Sequence, residues 1–355
     1  MKNCNWSWRF ATPAIAAELG DRPELLLEAG REVKSNPVRQ VFRCGDYFLK
    51  YDKRSGRRLR SEWNCAQLIE REGIQLVEHL ALGESSAGSI LITRAFPEAE
   101  AVSDYFYRTY IEQPGEPAVF LNNFVYFARK VLESRLYHPD FHIGNVLYSP
   151  GLNRFALVDA QGVRKAGWFD RWFRRYSMER IGMEFRFSRT RHQMLKLLAA
   201  LGIADPEEFY AEALVRESAA LWHEWPRRRR QALAGYPKFS VQDGSLLRTV
   251  DPLRRTVPLE NYEVLEGESA LVESLFLSHF FLQLAQIPHR RVLALDRRNR
   301  QVYLEKISSS TVPTAAADYQ ERLNALDIHS ETRDWGKDEF GRISLWNLDL
   351  IRLYV

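Results

Sequence analysis

Residues 136–164 read LYHPDFHIGNVLYSPGLNRFALVDAQGVR, and the fold turns on how this stretch is read. It holds His138-x-Asp140-x4-Asn145, and Asp159 follows 14 residues after Asn145. Residues 137–145 read as a loop, 146–148 as a short strand, Pro150-Gly151 as a turn and 155–158 as a second strand. A loop running into a small hairpin brings Asp140, Asn145 and Asp159 around one point. Val146, Leu147, Leu157 and Val158 supply the apolar anchor beneath them. Taken singly, Asp140 is an ordinary turn former and His138 an ordinary packed histidine. The spacing of the set carries the chemistry.

Upstream, residues 38–43 and 47–51 read as short strands joined by a tight turn at Cys44-Gly45-Asp46. In SEWNCAQLIEREGI, Trp63, Ala66, Leu68, Ile69 and Ile74 make a helical stripe, with Gly73 as C-cap. SILITR (residues 89–94) is a further strand, stopped at Phe96-Pro97. Residues 120–135 are helical, with Phe124, Phe127, Val131 and Leu132 on one side. Residues 1–33 read as a lead-in with a short helix near 23–29. The elements point to an α+β fold. The chain has 355 residues, 45% of them apolar and 27% charged, so it can bury a sizeable core, and its length suggests more than one domain. Three cysteines without zinc or disulfide spacing favour a reducing compartment. No apolar run reaches the length of a membrane span, and no leader of the secretory type precedes Arg9. A net charge of +4 names no partner.

The spaced loop resembles the catalytic loop of the protein-kinase-like superfamily, in which H-x-D-x4-N is followed by a metal-binding Asp. More closely, the chain is similar to the bacterial lipopolysaccharide kinase family, which phosphorylates Kdo or heptose of the inner core. YFLKYD, SEWNCAQLIEREGI, SILITRAF, HPDFHIGNVL and LVDAQGVR carry that resemblance, over roughly residues 30–205. It implies a bilobal protein-kinase-like fold, with lead-in and N-lobe in residues 1–97 and C-lobe in 98–205, whereas residues 206–355 exceed what a compact sugar kinase needs and read as an additional C-terminal α/β region. It also implies ATP and Mg²⁺ as cofactors and transfer of the γ-phosphate to a sugar hydroxyl. Asp140 would be the catalytic carboxylate, with His142 beside the acceptor or in a structural bond. Asn145 and Asp159 would hold the metal. Lys50, paired with Glu62, would contact the phosphates. Ile92 would be the gatekeeper, with Arg94 and Ala95 near the adenine-binding hinge. Two features depart from the superfamily pattern. No G-x-G-x-x-G is present, the covering turn falling near Lys34-Ser35-Asn36-Pro37. The metal-binding Asp is followed by Ala160-Gln161 rather than Phe-Gly. Both argue against a regulated protein kinase.

Other readings stay open: a kinase of a soluble small molecule, like the aminoglycoside and choline kinases, or a catalytically silent kinase-like binding protein. The segment after Arg164 interleaves basic residues with Trp168, Phe169, Trp172, Phe173 and Tyr176. It reads as a helix with core aromatics and solvated arginines, the alternative being peripheral contact with the inner membrane from its cytoplasmic face. No nucleic-acid motif accompanies it. A helix from Pro206 is expected to break at Pro226, before Arg227–Arg230, four arginines that read as a solvated face or a phosphate-facing patch. Finally, residues 268–307 faintly echo the helix and strands upstream. Glu273 would stand for Glu62, and His329, Glu331 and Asp349 for the loop residues, as in a degenerate second kinase-like unit.

Overall fold

The computed structural model describes residues 6–20, 22–35, 37–53, 56–112, 118–167, 170–185, 191–251, 255–306, 317–328, 335–337 and 343–345. The architecture is mixed α+β, built on antiparallel sheets. Contacts divide the chain into two compact units: Met1–Tyr105 with Pro117–Ile181, and Phe106–Glu116 with Gly182–Val355.

Unit 1 begins with β1 (Ser7–Ala11), α1 (Pro13–Leu19), α2 (Glu24–Ala29), β2 (Arg31–Ser35), β3 (Arg39–Cys44) and β4 (Tyr47–Asp52). It continues with α3 (Arg57–Arg71), β5 (His79–Ser85), β6 (Gly88–Arg94) and β7 (Glu100–Ala101). Helix α4 (Val102–Glu112) starts in unit 1 and belongs to unit 2 from Phe106 on, and unit 1 resumes with α5 (Ala118–Glu133), β8 (Leu136–Tyr137), β9 (Val146–Ser149), β10 (Arg154–Leu157), β11 (Arg164–Lys165) and most of α6 (Arg171–Met183). Six strands form one sheet in the order β1-β5-β6-β4-β3-β2. Alternation along β4 decides its two faces. Leu49 and Tyr51 join Ile15, Leu26, Ala81 and Ile92 in the core covered by α1 and α2. Leu91 and Leu82 face the other way, against Leu59 and Trp63 of α3. The β5–β6 turn needs Gly88: its φ is 141°, and a Cβ there would lie 2.2 Å from the Asp52 carbonyl oxygen. β1 and β5 go beyond the sequence expectation. In β5 residues 80–83 are all buried, so it shows no alternating pattern to read.

Helix α5 buries Phe120, Phe124, Phe127, Ala128, Val131 and Leu132, a helical stripe. Phe124 and Phe127 pack their rings on Phe155 of β10, which stacks on Tyr148 of β9 at 4.7 Å. This aromatic bed fixes the β9–β10 hairpin under the loop that precedes it.

Unit 2 contains α7 (Arg191–Ala200), α8 (Pro206–Leu233), β12 (Ser240–Asp243), β13 (Leu246–Thr249), β14 (Tyr262–Glu266) and α9 (Ser269–Leu284). It ends with β15 (Val292–Asp296), β16 (Gln301–Glu305), α10 (Ala317–Asn324), β17 (Trp335–Lys337) and β18 (Ile343–Leu345). Its main sheet runs β12-β13-β15-β16-β14. The boundary expected near residue 205 falls after Ile181 instead. Arg191 of α7 pairs with Glu207 of α8 and Glu321 of α10, and Tyr210 accepts a hydrogen bond from Arg322, so α7 belongs with the later helices α8 and α10. Nor does α8 break at Pro226. It runs 28 residues to Leu233, because Trp225 and Ala232 are buried in the unit 2 core and Glu224 pairs with Arg227 and Arg228 across the proline. That packing outweighs the ~3 kcal/mol cost of an interior proline. Arg228 is also not simply solvated, since its guanidinium lies over the Phe239 ring at 5.8 Å. Among the described residues no helix is long and apolar enough to cross a membrane.

A histidine pair sits against the unit 2 core, His279 buried and His289 half-buried. His289 Nδ1 donates to the Ile287 carbonyl at 2.7 Å, which leaves its Nε2 to accept from His279 Nδ1 at 2.8 Å. Burial pushes both rings below the ordinary value of 6.5, His289 to about 4. An unfolded chain protonates them near 6.5. Stability from the neutral pair is therefore complete above that pH and drains away as pH falls towards 4. The urea midpoint of unit 2 is expected to drop through this window, and His279→Gln, with one titrating ring fewer, to show a shallower drop. Identical pH slopes for the two proteins would contradict this.

Candidate active site

Four segments of unit 1 converge. β4 carries Lys50, α3 carries Glu62, the loop after β8 carries Asp140 and Asn145, and the residues after β10 carry Asp159. Glu62 is wholly buried, on the same helical stripe as Leu59, Trp63, Ala66 and Ile69. A carboxylate in that position requires a counter-charge. The Lys50 ammonium supplies it, hydrogen-bonded to Glu62 Oε1. The same ammonium stands 3.6 Å from Asp159 Oδ1, within ion-pair range but beyond a hydrogen bond.

The loop of residues 138–145 is braced by its own backbone. Asp140 N–H donates to His138 Nδ1 at 3.2 Å and Gly144 N–H to His142 Nδ1 at 3.0 Å, closing two turns. His138 is buried, and loss of solvent lowers it to about 4, so it stays neutral. Asn145 Nδ2 donates to both the carbonyl and the carboxylate of Asp140, each at 3.0 Å. Val158 N–H donates to the Asn145 carbonyl at 3.0 Å, locking the loop to the strand that delivers Asp159. Leu157 is held in turn by a parallel bridge to Leu76, just past α3. Further ties run from Cys65 Sγ to the Val163 carbonyl at 2.9 Å and from Arg39 Nη2 to Gln161 Oε1 at 2.9 Å. The Ala160-Gln161 departure thus has a local account: Ala160 is fully buried, and Gln161 reaches back to β3.

Asp140 is half exposed and faces two further groups. Arg180 of α6 donates to its Oδ1 at 3.0 Å, and His142 Nε2 lies 3.6 Å from Oδ2. Partial burial pushes the Asp140 pKa up, but Arg180, His142 and Asn145 outweigh it, and the carboxyl sits below its ordinary value. His142 is itself lowered, chiefly by desolvation. Sequence reasoning missed Arg180. It is one of many arginines in a basic segment, and nothing in the local pattern marks which of them turns inward. Arg174 is also engaged, donating to the Ser134 carbonyl at 2.8 Å. These two are therefore not the solvated arginines expected of α6. Tyr176 is exposed, while Trp168 and Phe169, and the side chains of Trp172 and Phe173, lie outside the described residues.

Asp159 also has the features of a cation ligand. Its Oδ1 is buried with no hydrogen-bond donor, and its backbone holds φ at 56°, a left-handed conformation uncommon outside glycine and tolerated by Asp and Asn. The two Asn145 bonds use the amide nitrogen, which leaves the amide oxygen as the ligand atom. Among the described residues no group of three or more His, Cys, Asp or Glu side chains could hold a metal. Mg²⁺ keeps several waters and takes few protein ligands, so one carboxylate and one amide oxygen are donors of the kind it accepts.

Three expected nucleotide contacts are redirected. Lys50 pairs with Leu91, and Phe48 with Thr93, so alternation puts Leu91 and Thr93 on Lys50's side of the sheet. Ile92 points to the opposite core with Leu49 and is not the gatekeeper. Arg94 gives its N–H to the Glu78 carbonyl and its guanidinium to the Glu78 carboxylate, and Ala95 gives its N–H to Asp46. Those two amide donors are committed to the protein. Of the covering turn, Asn36 lies outside the described residues.

Two substitutions probe this geometry. Glu62→Gln leaves Lys50 with Asp159 alone and is expected to cost roughly 2–4 kcal/mol in urea unfolding, while Lys50→Met/Glu62→Leu together recover much of it. Arg180→Ala should raise the Asp140 pKa, read by NMR titration of the carboxyl carbon; an unchanged value would rule out the ion pair in solution. No family model matches the chain, and no curated protein matches it.

Proposed function

We propose that unit 1 is an ATP-dependent kinase with a bilobal protein-kinase-like fold, transferring the γ-phosphate to a sugar hydroxyl of the lipopolysaccharide inner core, Kdo or heptose. The observation that carries the reading is the Lys50 ammonium held between buried Glu62 and Asp159, with Asp140 and Asn145 tied to the same loop. Strand, helix, hairpin, two helices, loop and second hairpin come in the order that the kinase-like resemblance implies.

Asn145 and Asp159 would hold Mg²⁺, which when bound neutralises charge on the phosphates. Lys50 would face the nucleotide phosphates, kept extended by Glu62. Asp140, held ionised by Arg180, orients the acceptor hydroxyl and takes its proton as the new P–O bond forms and ADP leaves with the electron pair of the old one. Catalysis of this kind is positioning and electrostatics. Thr93 and Leu91 would stand near the adenine in place of Ile92. Arg180 beside Asp140 favours an acidic acceptor such as Kdo over the cationic acceptors of aminoglycoside and choline kinases.

Asp140→Ala is expected to lower transfer by roughly 10²–10⁴-fold with Mg·ATP binding kept. Asp159→Ala is expected to lose Mg²⁺-dependent nucleotide binding, followed by thermal shift. Mass spectrometry of core lipopolysaccharide with and without the gene should differ by one phosphate. Wild-type turnover in Asp140→Ala would sink the mechanism, and unchanged lipopolysaccharide the acceptor.

A further inference from the structure

The main sheets of the two units share a framework. Unit 1 contains the order β1-β5-β6-β4 and unit 2 the order β13-β15-β16-β14, antiparallel throughout. In each, a helix (α3 or α9) joins the outer strand to the central hairpin.

The agreement extends to single residues. The register break between His79 and Ala81 against β6 recurs between Val292 and Ala294 against β16. Gly73 just after α3 and Gln286 just after α9 both take positive φ, 67° and 55°. Arg94 N–H reaches the Glu78 carbonyl at 2.9 Å and Ala95 N–H reaches Asp46 at 2.7 Å. Glu305 N–H likewise reaches Arg291 at 3.0 Å, and Lys306 N–H reaches Asn261 at 2.7 Å. The ion pair beside these bonds recurs with its charges exchanged, Arg94 with Glu78 in one unit and Glu305 with Arg291 in the other. Past each helix, Leu76 bridges Leu157 and His289 bridges Leu345, both parallel and with matching pairs of backbone bonds.

These pairings equate positions that sequence comparison does not. Lys50 lies opposite Leu91, and its counterpart opposite Val302 is Leu265. Glu62 lies 11 residues before Gly73, and 11 before Gln286 stands Leu275, which is buried. Glu273, two residues away, pairs outward with Arg297 at 2.9 Å and does not stand for Glu62. Asp159 lies two residues after Leu157, and two after Leu345 the sequence has Asn347. His329, Glu331 and Asp349 lie outside the described residues. Beyond β14 the described residues add no strand, whereas β4 is flanked by β3 and β2 and the turn between them.

We propose that unit 2 is an internal repeat of unit 1 from which the phosphate-contacting machinery has been removed, so that the chain carries one nucleotide site and one silent copy of its framework. Two leucines replace the buried lysine–glutamate pair. Without an anionic ligand such a pair is a net cost, and an apolar pair of similar volume is as stable or more so.

Two measurements on the full chain test this, the first resting on the kinase reading of unit 1 and the second independent of it. Calorimetric titration with Mg·ATP is expected to give one site per chain, abolished by Lys50→Met. A second site, or binding that survives Lys50→Met, overturns the silent assignment, whereas no binding at all overturns the kinase reading instead. The second measurement is a double-mutant cycle on Leu265→Lys and Leu275→Glu. If these positions are the counterparts of Lys50 and Glu62, each single change lowers the unit 2 melting temperature by roughly 5–10 °C and the double change recovers a good part of the loss. Additive losses overturn the repeat. Should a charged variant be insoluble, Leu265→Gln with Leu275→Gln gives the same cycle with smaller steps and the same two outcomes.

Discussion

Glu62 lies wholly buried inside unit 1, and Lys50 reaches it from β4 as its counter-charge. That requirement couples a strand to a helix across a dry interface and leaves little freedom in how α3 lies on the sheet. Much of the site inherits its position from α3. Cys65 on the same helix holds the Val163 carbonyl, and the residues just past the helix hold Leu157 through the parallel bridge at Leu76. Asp159 lies between those two anchors. Its carboxylate is therefore presented to the ammonium, and its left-handed backbone is imposed by contacts on either side of it.

The loop of residues 138–145 solves a different problem. Its polar atoms must point outward while the chain on both sides is buried. His138 and His142 each accept a nearby backbone N–H, which closes the loop's two turns, and the Phe124, Phe127 and Phe155 rings hold the hairpin from below. Asp140 is consequently exposed, charged and already ordered by Arg180 and Asn145. A carboxylate held in this way needs little reorganisation on meeting a hydrogen-bond donor.

Unit 2 shows what the same framework does without that electrostatic constraint. Leucines occupy the positions of the ion pair, and its core accommodates a neutral histidine pair that only mutual hydrogen bonding and the Ile287 carbonyl make tolerable. Strand order, bulge and bridging pattern persist although the charges at one corner are exchanged. Backbone pairing and burial tolerate many sequences, so the same architecture forms with or without the charged pair.

From residues 136–164 alone, spacing, turn chemistry and short apolar runs determined the loop, the hairpin and the set Asp140, Asn145 and Asp159, because each of those signals acts between residues close in the chain. The helix stripe of α3 and the strand alternation of β4 were legible for the same reason. Tertiary structure decided the rest. Arg180 is identical in sequence terms to its neighbouring arginines and is distinguished only by lying against Asp140, 40 residues back in the chain. The sheet register turned Ile92 away and brought Leu91 and Thr93 to Lys50's side. Burial of Trp225 and Ala232 carried α8 through Pro226, against local propensity. The register of α9 put Leu275, rather than the more suggestive Glu273, at the place of Glu62. In each case the deciding term is a contact or a desolvation between residues far apart in the chain, and local patterns carry no record of it.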